Sequence, residues 1–355
     1  MSNTLSLTQS RTGRGHYRAQ VWRKQLVLAG LTIALVATLC LDLALGPARY
    51  DLGQVAMAIL APDSVPLPVR VVLWDIRMPT ALMALVVGAA LAVAGGQMQT
   101  ILNNPLASPF TLGISAGASF GAALALAFGV AIIPAAIHYV VPINAFLMAM
   151  LTALLIHVLS LKRGVTVQTI VLLGIALVFT FTALLSLVQF FASQEALAAV
   201  VFWTMGSLTK ATWLKLWITL AVLAVVLPLF ARRAWALTAM RLGEAKAESL
   251  GVNIKRLRLE TLVLVSLLSA IPVAFVGTVG FVGLVGPHIA RMVIGEDQRF
   301  FLPASALAGA LILSASSILS KTLIPGTVFP IGIVTSLVGI PFFISLILGS
   351  GRRSW

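Results

Sequence analysis

Few residues in this chain are of a type that could do chemistry, and their spacing excludes most of it. The histidines His16, His138, His157 and His288 stand far apart, and no H-E-x-x-H or paired-cysteine spacing offers zinc a site. A lone histidine between helices fits either haem ligation or a hydrogen bond to a neighbouring helix. Cys40 is the one cysteine, so no internal disulfide can form. No G-x-x-x-x-G-K-[ST] loop occurs, so the chain does not itself cradle the phosphates of ATP. Without a catalytic constellation, no catalytic residue, cofactor or metal is expected.

Charge is where the remaining candidates lie. Between 241 and 258, Arg241, Lys246, Lys255, Arg256 and Arg258 are interspersed with Glu244 and Glu248, while Leu242, Ala245, Leu250 and Val252 make an apolar stripe. Gly243 and Gly251 punctuate the stretch, the second as a helix C-terminal signal. It reads either as an amphipathic helix on anionic headgroups or as a helix seated in a groove of a partner. Asn103, Asn104 and Pro105 close an apolar run without any charge. Proline ends the helix, and the amides can cap freed backbone groups; a gate at this level is the alternative. His288 and Arg291 follow Pro287 on one helical face and are expected to bond the 241–258 segment. Thr180, Thr182, Ser186 and Gln189 form a polar stripe that either faces a transport path or bonds between helices.

The elements that position these residues are membrane helices. Of 355 residues, 60% are hydrophobic and only 10% charged, and mean hydropathy is +1.06. An ordinary soluble domain carries about 25% charged residues, so a soluble enzyme is excluded, and so is disorder. The net charge of +14 comes from short basic clusters between long apolar runs, a membrane pattern rather than a nucleic-acid footprint. Runs long enough to span are 26–45, 79–101, 111–131, 143–161, 167–191, 213–230, 303–320 and 331–348. The run 261–294 would reach about 50 Å as one helix against a hydrocarbon core of about 30 Å. It also contains Pro272, Gly277, Gly280, Gly283, Gly286 and Pro287, so two short passes are expected there, giving ten spans.

Lys and Arg collect on the cytoplasmic side. Arg11, Arg14, Arg18, Arg23 and Lys24 precede the first span with no acid among them. That puts a basic tail, 1–25, inside, and alternation then puts Lys162, Arg163 and the loop 232–260 inside as well. With ten spans, Arg299, Arg352 and Arg353 are inside too, so both termini are cytoplasmic, with 26–348 as the membrane domain and 349–355 as a second tail. The first run is too long for a typical signal peptide and reads as a retained anchor. Asp42, Glu260 and Arg291 fall near span ends, where they can reach the interface. No charge at mid-membrane is therefore left to couple an ion gradient, which disfavours a secondary carrier. Gly88-Ala-Ala, Ala94-Gly-Gly and Gly113 to Gly121 permit either close helix packing or a smooth, uncharged pore wall.

Several stretches resemble one family. These are Arg77-Met-Pro-Thr, Gly88-Ala-Ala-Leu-Ala-Val-Ala-Gly-Gly-Gln-Met-Gln99, Asn104-Pro-Leu-Ala-Ser-Pro109 and Leu112-Gly-Ile-Ser-Ala-Gly117. Leu242-Gly-Glu-Ala, Leu250-Gly-Val-Asn253, Gly280-Phe-Val-Gly-Leu-Val-Gly-Pro-His-Ile-Ala-Arg291, Pro330-Ile-Gly-Ile-Val-Thr335 and Pro341-Phe-Phe343 follow in order. Together they resemble the permease subunits of ABC importers for iron-siderophores, haem and cobalamin. The resemblance implies an all-α bundle of about ten transmembrane helices of the type II importer class. It further implies a second permease subunit, two cytoplasmic ATPase subunits and an external substrate-binding protein, all in a bacterial inner membrane.

The resemblance also carries roles for particular residues. Leu242, Gly243, Glu244, Ala245, Leu250 and Gly251 would couple to the ATPase. From the residues rather than the resemblance, Asn103, Asn104, Pro105, His288 and Arg291 are the candidates for a cytoplasmic gate and its loop, and Thr180, Thr182, Ser186 and Gln189 for the path, with helix capping and bonds between helices as the structural alternatives. Arg77 and Lys321, expected to be exposed on the outer side, would meet the binding protein; plain interface snorkelling is the alternative. Thr80 stands where the cobalamin permease has a second arginine, Val328 where it has a glutamate, and Lys321 where it has an arginine. These departures disfavour cobalamin; an iron(III) chelate is the expected cargo, with haem or cobalamin as the alternative.

Overall fold

An apolar chain in lipid can satisfy its backbone only by hydrogen-bonding within itself, and among the described residues every regular element is helical. The computed structural model describes residues 2–48, 50–133, 139–160 and 166–350, and side chains within these from 17 to 345. Arg49, His138, Lys162, Arg163, Arg352 and Arg353 lie outside the described residues, as do the side chains of Arg11, Arg14 and His16. The helices are α1 (Ser2–Ala44), α2 (Leu52–Leu60), α3 (Leu67–Val71), α4 (Met78–Ile101) and α5 (Ile114–Phe128). Next come α6 (Val140–Ser160), α7 (Val167–Phe191), α8 (Gln194–Thr204), α9 (Trp213–Arg232) and α10 (Ala234–Met240). The last are α11 (Glu244–Ser249), α12 (Ile254–Val276), α13 (Val282–Ile294), α14 (Gln298–Thr322) and α15 (Ile331–Ser350).

Seven helices among the described residues are long and apolar enough to cross a bilayer: α1, α4 with the π-helical turn and α3 before it, α6, α7, α9, α12 and α14. Three shorter apolar helices, α5, α13 and α15, complete the set of ten. The run 261–294 is broken, as its glycines and prolines require. Gly277 (φ +76°) ends α12, and Phe281 (φ +64°) precedes α13. The break packs against the turn after α8, which is itself tied to the start of α15. Ser207 N donates to Val276 O at 2.7 Å, while Ile331 N and Gly332 N donate to Gly206 O and Met205 O at 3.0 and 2.9 Å. Irregular backbone at membrane depth survives only where protein covers it in this way.

The middle of the fold is α4, almost entirely buried and packed against α12, α13 and α14. Its glycines make that approach possible. A Cβ on Gly88 would strike the backbone of Gly309 on α14, and one on Gly95 would strike Gly283 on α13. The small residues of α4 are therefore packing surface, and the smooth-pore-wall alternative is corrected for this helix. Gly117 and Gly121 of α5 likewise fit against Thr152 and Asn144 of α6. The segment 232–260 between two of the long helices is mostly helical itself: α10, α11 and the first turns of α12.

Two ends result. One, the basic end, gathers the C-terminus of α4, α10, α11 and the α13–α14 turn. The far end gathers the C-termini of α1 and α14 with the turn before α4.

Candidate functional site

The short helix α11 is built to show one side and bury the other. Gly243 (φ +96°) turns the chain out of α10, and Gly251 (φ +84°) ends α11 after its cap residue Leu250. Glycine carries these left-handed values without the steric cost other residues meet. The returning chain is fixed by Val252 N donating to Ala247 O at 3.0 Å. Ala247 and Val252 are buried in the main core cluster with Met240 and Leu257. Leu242 and Leu250 remain 57% and 49% exposed, and Ala245 is exposed beside them. The apolar stripe thus divides, with Val252 in the core and Leu242, Ala245 and Leu250 facing out.

An ionic cluster holds that face in place. Glu244 pairs with Arg258 at 2.7 Å. Arg241 grips Glu296 with two nitrogens, its Nε donating to Oε2 at 2.6 Å, and its Nη1 donates to Asn103 Oδ1 at 3.0 Å. Arg291 approaches the same carboxylate, with Nε 3.2 Å from Glu296 Oε1. It also donates to Gln99 Oε1 at 3.1 Å and lies 5.3 Å over the Phe301 ring. Behind this, Gln298 links Gln97 and Thr100 of α4 (2.9 and 3.1 Å) to Thr238 of α10, whose hydroxyl accepts from Gln298 N at 3.2 Å. Asp297 caps α14, and its side-chain hydrogen bond from Arg299 holds its carboxyl below the usual carboxylate range. The base of α11 is therefore tied to the ends of α4 and α13.

The structure brings some of the sequence-identified residues together and separates others. Asn103, at φ +40°, joins the cluster through Arg241. Asn104 instead caps locally, its Oδ1 accepting from Leu106 N at 2.9 Å. With Pro105, both asparagines line a groove of about 780 Å³ that also reaches Gly243, Glu244 and Arg258. Arg291 meets the cluster, but His288 does not. Its ring stands edge-on to Phe342 of α15, centroids 6.5 Å apart, so the expected bond from His288 to the 241–258 segment is corrected. Thr180 and Ser186 donate to Ala176 O and Thr182 O of their own helix, at 2.8 and 3.0 Å. With Thr182 they lie exposed on α7, with Gln189 half-buried near its end, away from the basic end.

At the far end, the expected exposure of Arg77 and Lys321 is corrected. Arg77 is 5% exposed and donates to the carbonyls of Leu43 (2.6 Å), Ala44 (3.1 Å) and Ala48, with its guanidinium 4.7 Å over the Tyr50 ring. Those carbonyls belong to the unwound end of α1, which supplies too few N–H groups for its last C=O groups. Lys321 Nζ pairs with Asp42 at 2.7 Å, the lysine side chain 10% exposed and the aspartate fully buried. Ser317 donates to the same carboxylate. Asp42, expected at the interface, is instead the buried partner that draws both residues inward. Glu296 and Ala247 carry the basic-end cluster without a signal in the sequence, since neither belongs to a recognisable spacing.

With this geometry in view, the chain can be set beside known proteins. Residues 34–349 match the model of the FecCD transport family. The chain is 36% identical to the hemin transport system permease HmuU of Yersinia pestis, over 78% of this chain and 83% of that one. It is 32% identical to the vitamin B12 import system permease BtuC of Serratia proteamaculans, over 91% of each. Its fold matches a solved inward-facing conformation of a metal-chelate type ABC transporter with TM-score 0.80 and 32% identity, over 92% of this chain and 99% of that one. The chain belongs to the FecCD transport family, as a membrane-spanning permease subunit whose ATPase is a separate subunit.

Proposed function

We propose that this permease imports an iron(III) chelate of the ferric-siderophore kind across a bacterial inner membrane. In this reading two permease subunits form the path, two ATPases bind at the basic end, and an external binding protein delivers the cargo at the far end. The basic end is then cytoplasmic, as the clustering of Lys and Arg there favours, and both termini lie on that side. One observation carries the coupling role: Leu242, Ala245 and Leu250 stand exposed on a segment braced by Arg258–Glu244 and Arg241–Glu296. Exposed leucines beyond the bilayer surface call for a cover, and the ion pairs join α11 to the ends of α4 and α13, a route by which the partner's movement reaches the bundle. Arg77 and Lys321 contribute to the far end as supports of its shape, since their charges are already used internally. The exposed polar positions of α7, Thr180, Thr182 and Ser186, suit a path shared with the second permease subunit. Haem is the second reading, favoured by the hemin-named relative.

Ala245→Asp tests the coupling face. A carboxylate buried unpaired against a partner costs several kcal/mol, about a thousandfold in affinity at 1.4 kcal/mol per decade. Normal membrane abundance, loss of ATPase co-purification and loss of uptake are expected. Unchanged ATPase binding and transport would overturn the role of α11. Uptake of ferric-siderophore, haem and cobalamin by reconstituted vesicles carrying the whole transporter decides the cargo.

A further inference from the structure

At the basic end the flanks of α6, α9 and α12 leave a crevice of about 640 Å³. Its walls are apolar, formed by Leu229, Phe230, Leu257, Val263 and Leu264, while Arg232, Arg233, His157 and one acid, Glu260, stand around it. From Leu257 to Leu264 the α12 wall runs about 10 Å along the helix at 1.5 Å per residue. The charge around the crevice is not neutralised. Arg233 and Arg256 share the single carboxylate of Glu260, at 2.8 and 2.7 Å. Arg232 is exposed and makes no ion pair among the described residues. Next to Arg233, Trp235 is 63% exposed and lines an adjoining hollow with Arg232 and Arg256.

An apolar slot beneath a cationic rim, beside an exposed indole, has the layout of a membrane–water boundary. Around it α6 and α9 show Leu151, Leu154, Val158 and Val225 to their surroundings, an apolar exterior of the kind lipid tails cover without cost. Basic pockets between transmembrane helices recognise anionic headgroups. We propose that this crevice binds one anionic phospholipid of the leaflet at the basic end. Its phosphate lies against Arg232 and Arg233, and an acyl chain runs along Leu229, Val263 and Leu264. The inference needs the chain to cross a bilayer but does not depend on which cargo it carries.

The test uses the full chain purified in mild detergent, given phosphatidylglycerol or phosphatidylcholine with identical acyl chains and weighed by native mass spectrometry. Wild type is expected to retain one phosphatidylglycerol in preference to phosphatidylcholine. Arg232→Gln, at an exposed position with no ion pair among the described residues, should lower that preference about fivefold, the worth of one basic residue near an anionic surface. The double change Arg232→Gln/Arg233→Gln should abolish it. Leu229→Trp, which fills the slot without changing charge, should lower retention of both lipids. Equal retention of the two lipids by wild type, or phosphatidylglycerol retention unmoved by Arg232→Gln and Leu229→Trp, would overturn the proposal. So would loss of the lipid on assembly with the ATPase, which would make a protein the occupant.

Discussion

The two ends of the molecule use charge in opposite ways. At the far end, Asp42, Lys321 and Arg77 are withdrawn from solvent and spent on internal contacts, an ion pair between α1 and α14 and a clasp on the last carbonyls of α1. At the basic end, Arg241, Glu296 and Arg258 stay partly open to water and surround an exposed apolar face. A buried pair in a low-dielectric setting fixes one geometry, because breaking it strands a charge. A cluster whose carboxylates still reach water can rearrange, since water takes up whatever bond is released. The far end is thus organised as a rigid frame and the basic end as a joint.

The contrast can be broken by experiment, beginning with the pair where the loss is greatest. Lys321→Met leaves Asp42 buried without its partner and should destabilise the chain by ~3–5 kcal/mol, read as lost thermal stability in detergent. Adding Asp42→Asn should recover much of it; no recovery would mean that packing, not charge, holds α1 to α14. Next, Arg77→Ala takes the guanidinium from the carbonyls of Leu43 and Ala48, while Ala44 O keeps Tyr50 N at 3.1 Å, for about 2–3 kcal/mol. Arg77→Lys, which keeps the charge but loses the fork, should rescue only part. Full rescue by lysine would show that charge alone matters there.

The joint should respond differently. Glu296→Gln should cost only ~1 kcal/mol of stability, while changing transport by the 0.5–2 kcal/mol typical of coupling residues, about 2- to 30-fold in uptake. A stability loss matching that of Lys321→Met would erase the distinction between the ends. Smallest of all, Asp63→Asn breaks the pair with Arg70 at 2.5 Å, whose side chains are 91% and 46% exposed. It should shift stability by less than about 0.5 kcal/mol. A larger shift would place an unsuspected constraint on the segment before α4.

Much of the fold was legible before any coordinates. Ten apolar runs, the division of 261–294, the glycine that ends α11 and the amide–proline close of α4 all rest on local rules: span length, φ preference and missing N–H groups. These properties belong to neighbours in sequence, so the sequence by itself determined them. Burial of charge does not. Arg77 and Lys321 read as exposed because their partners, the end of α1 and Asp42, lie far away in the chain and leave no periodic trace. The same holds for Glu296, which stands in an ordinary turn until α10 and α13 bring Arg241 and Arg291 to it. His288 and Arg291 share a helical face in sequence, yet one meets Phe342 and the other Glu296. Only the tertiary structure decided these partnerships, because a charge in a membrane protein takes its role from whichever distant group reaches it out of water.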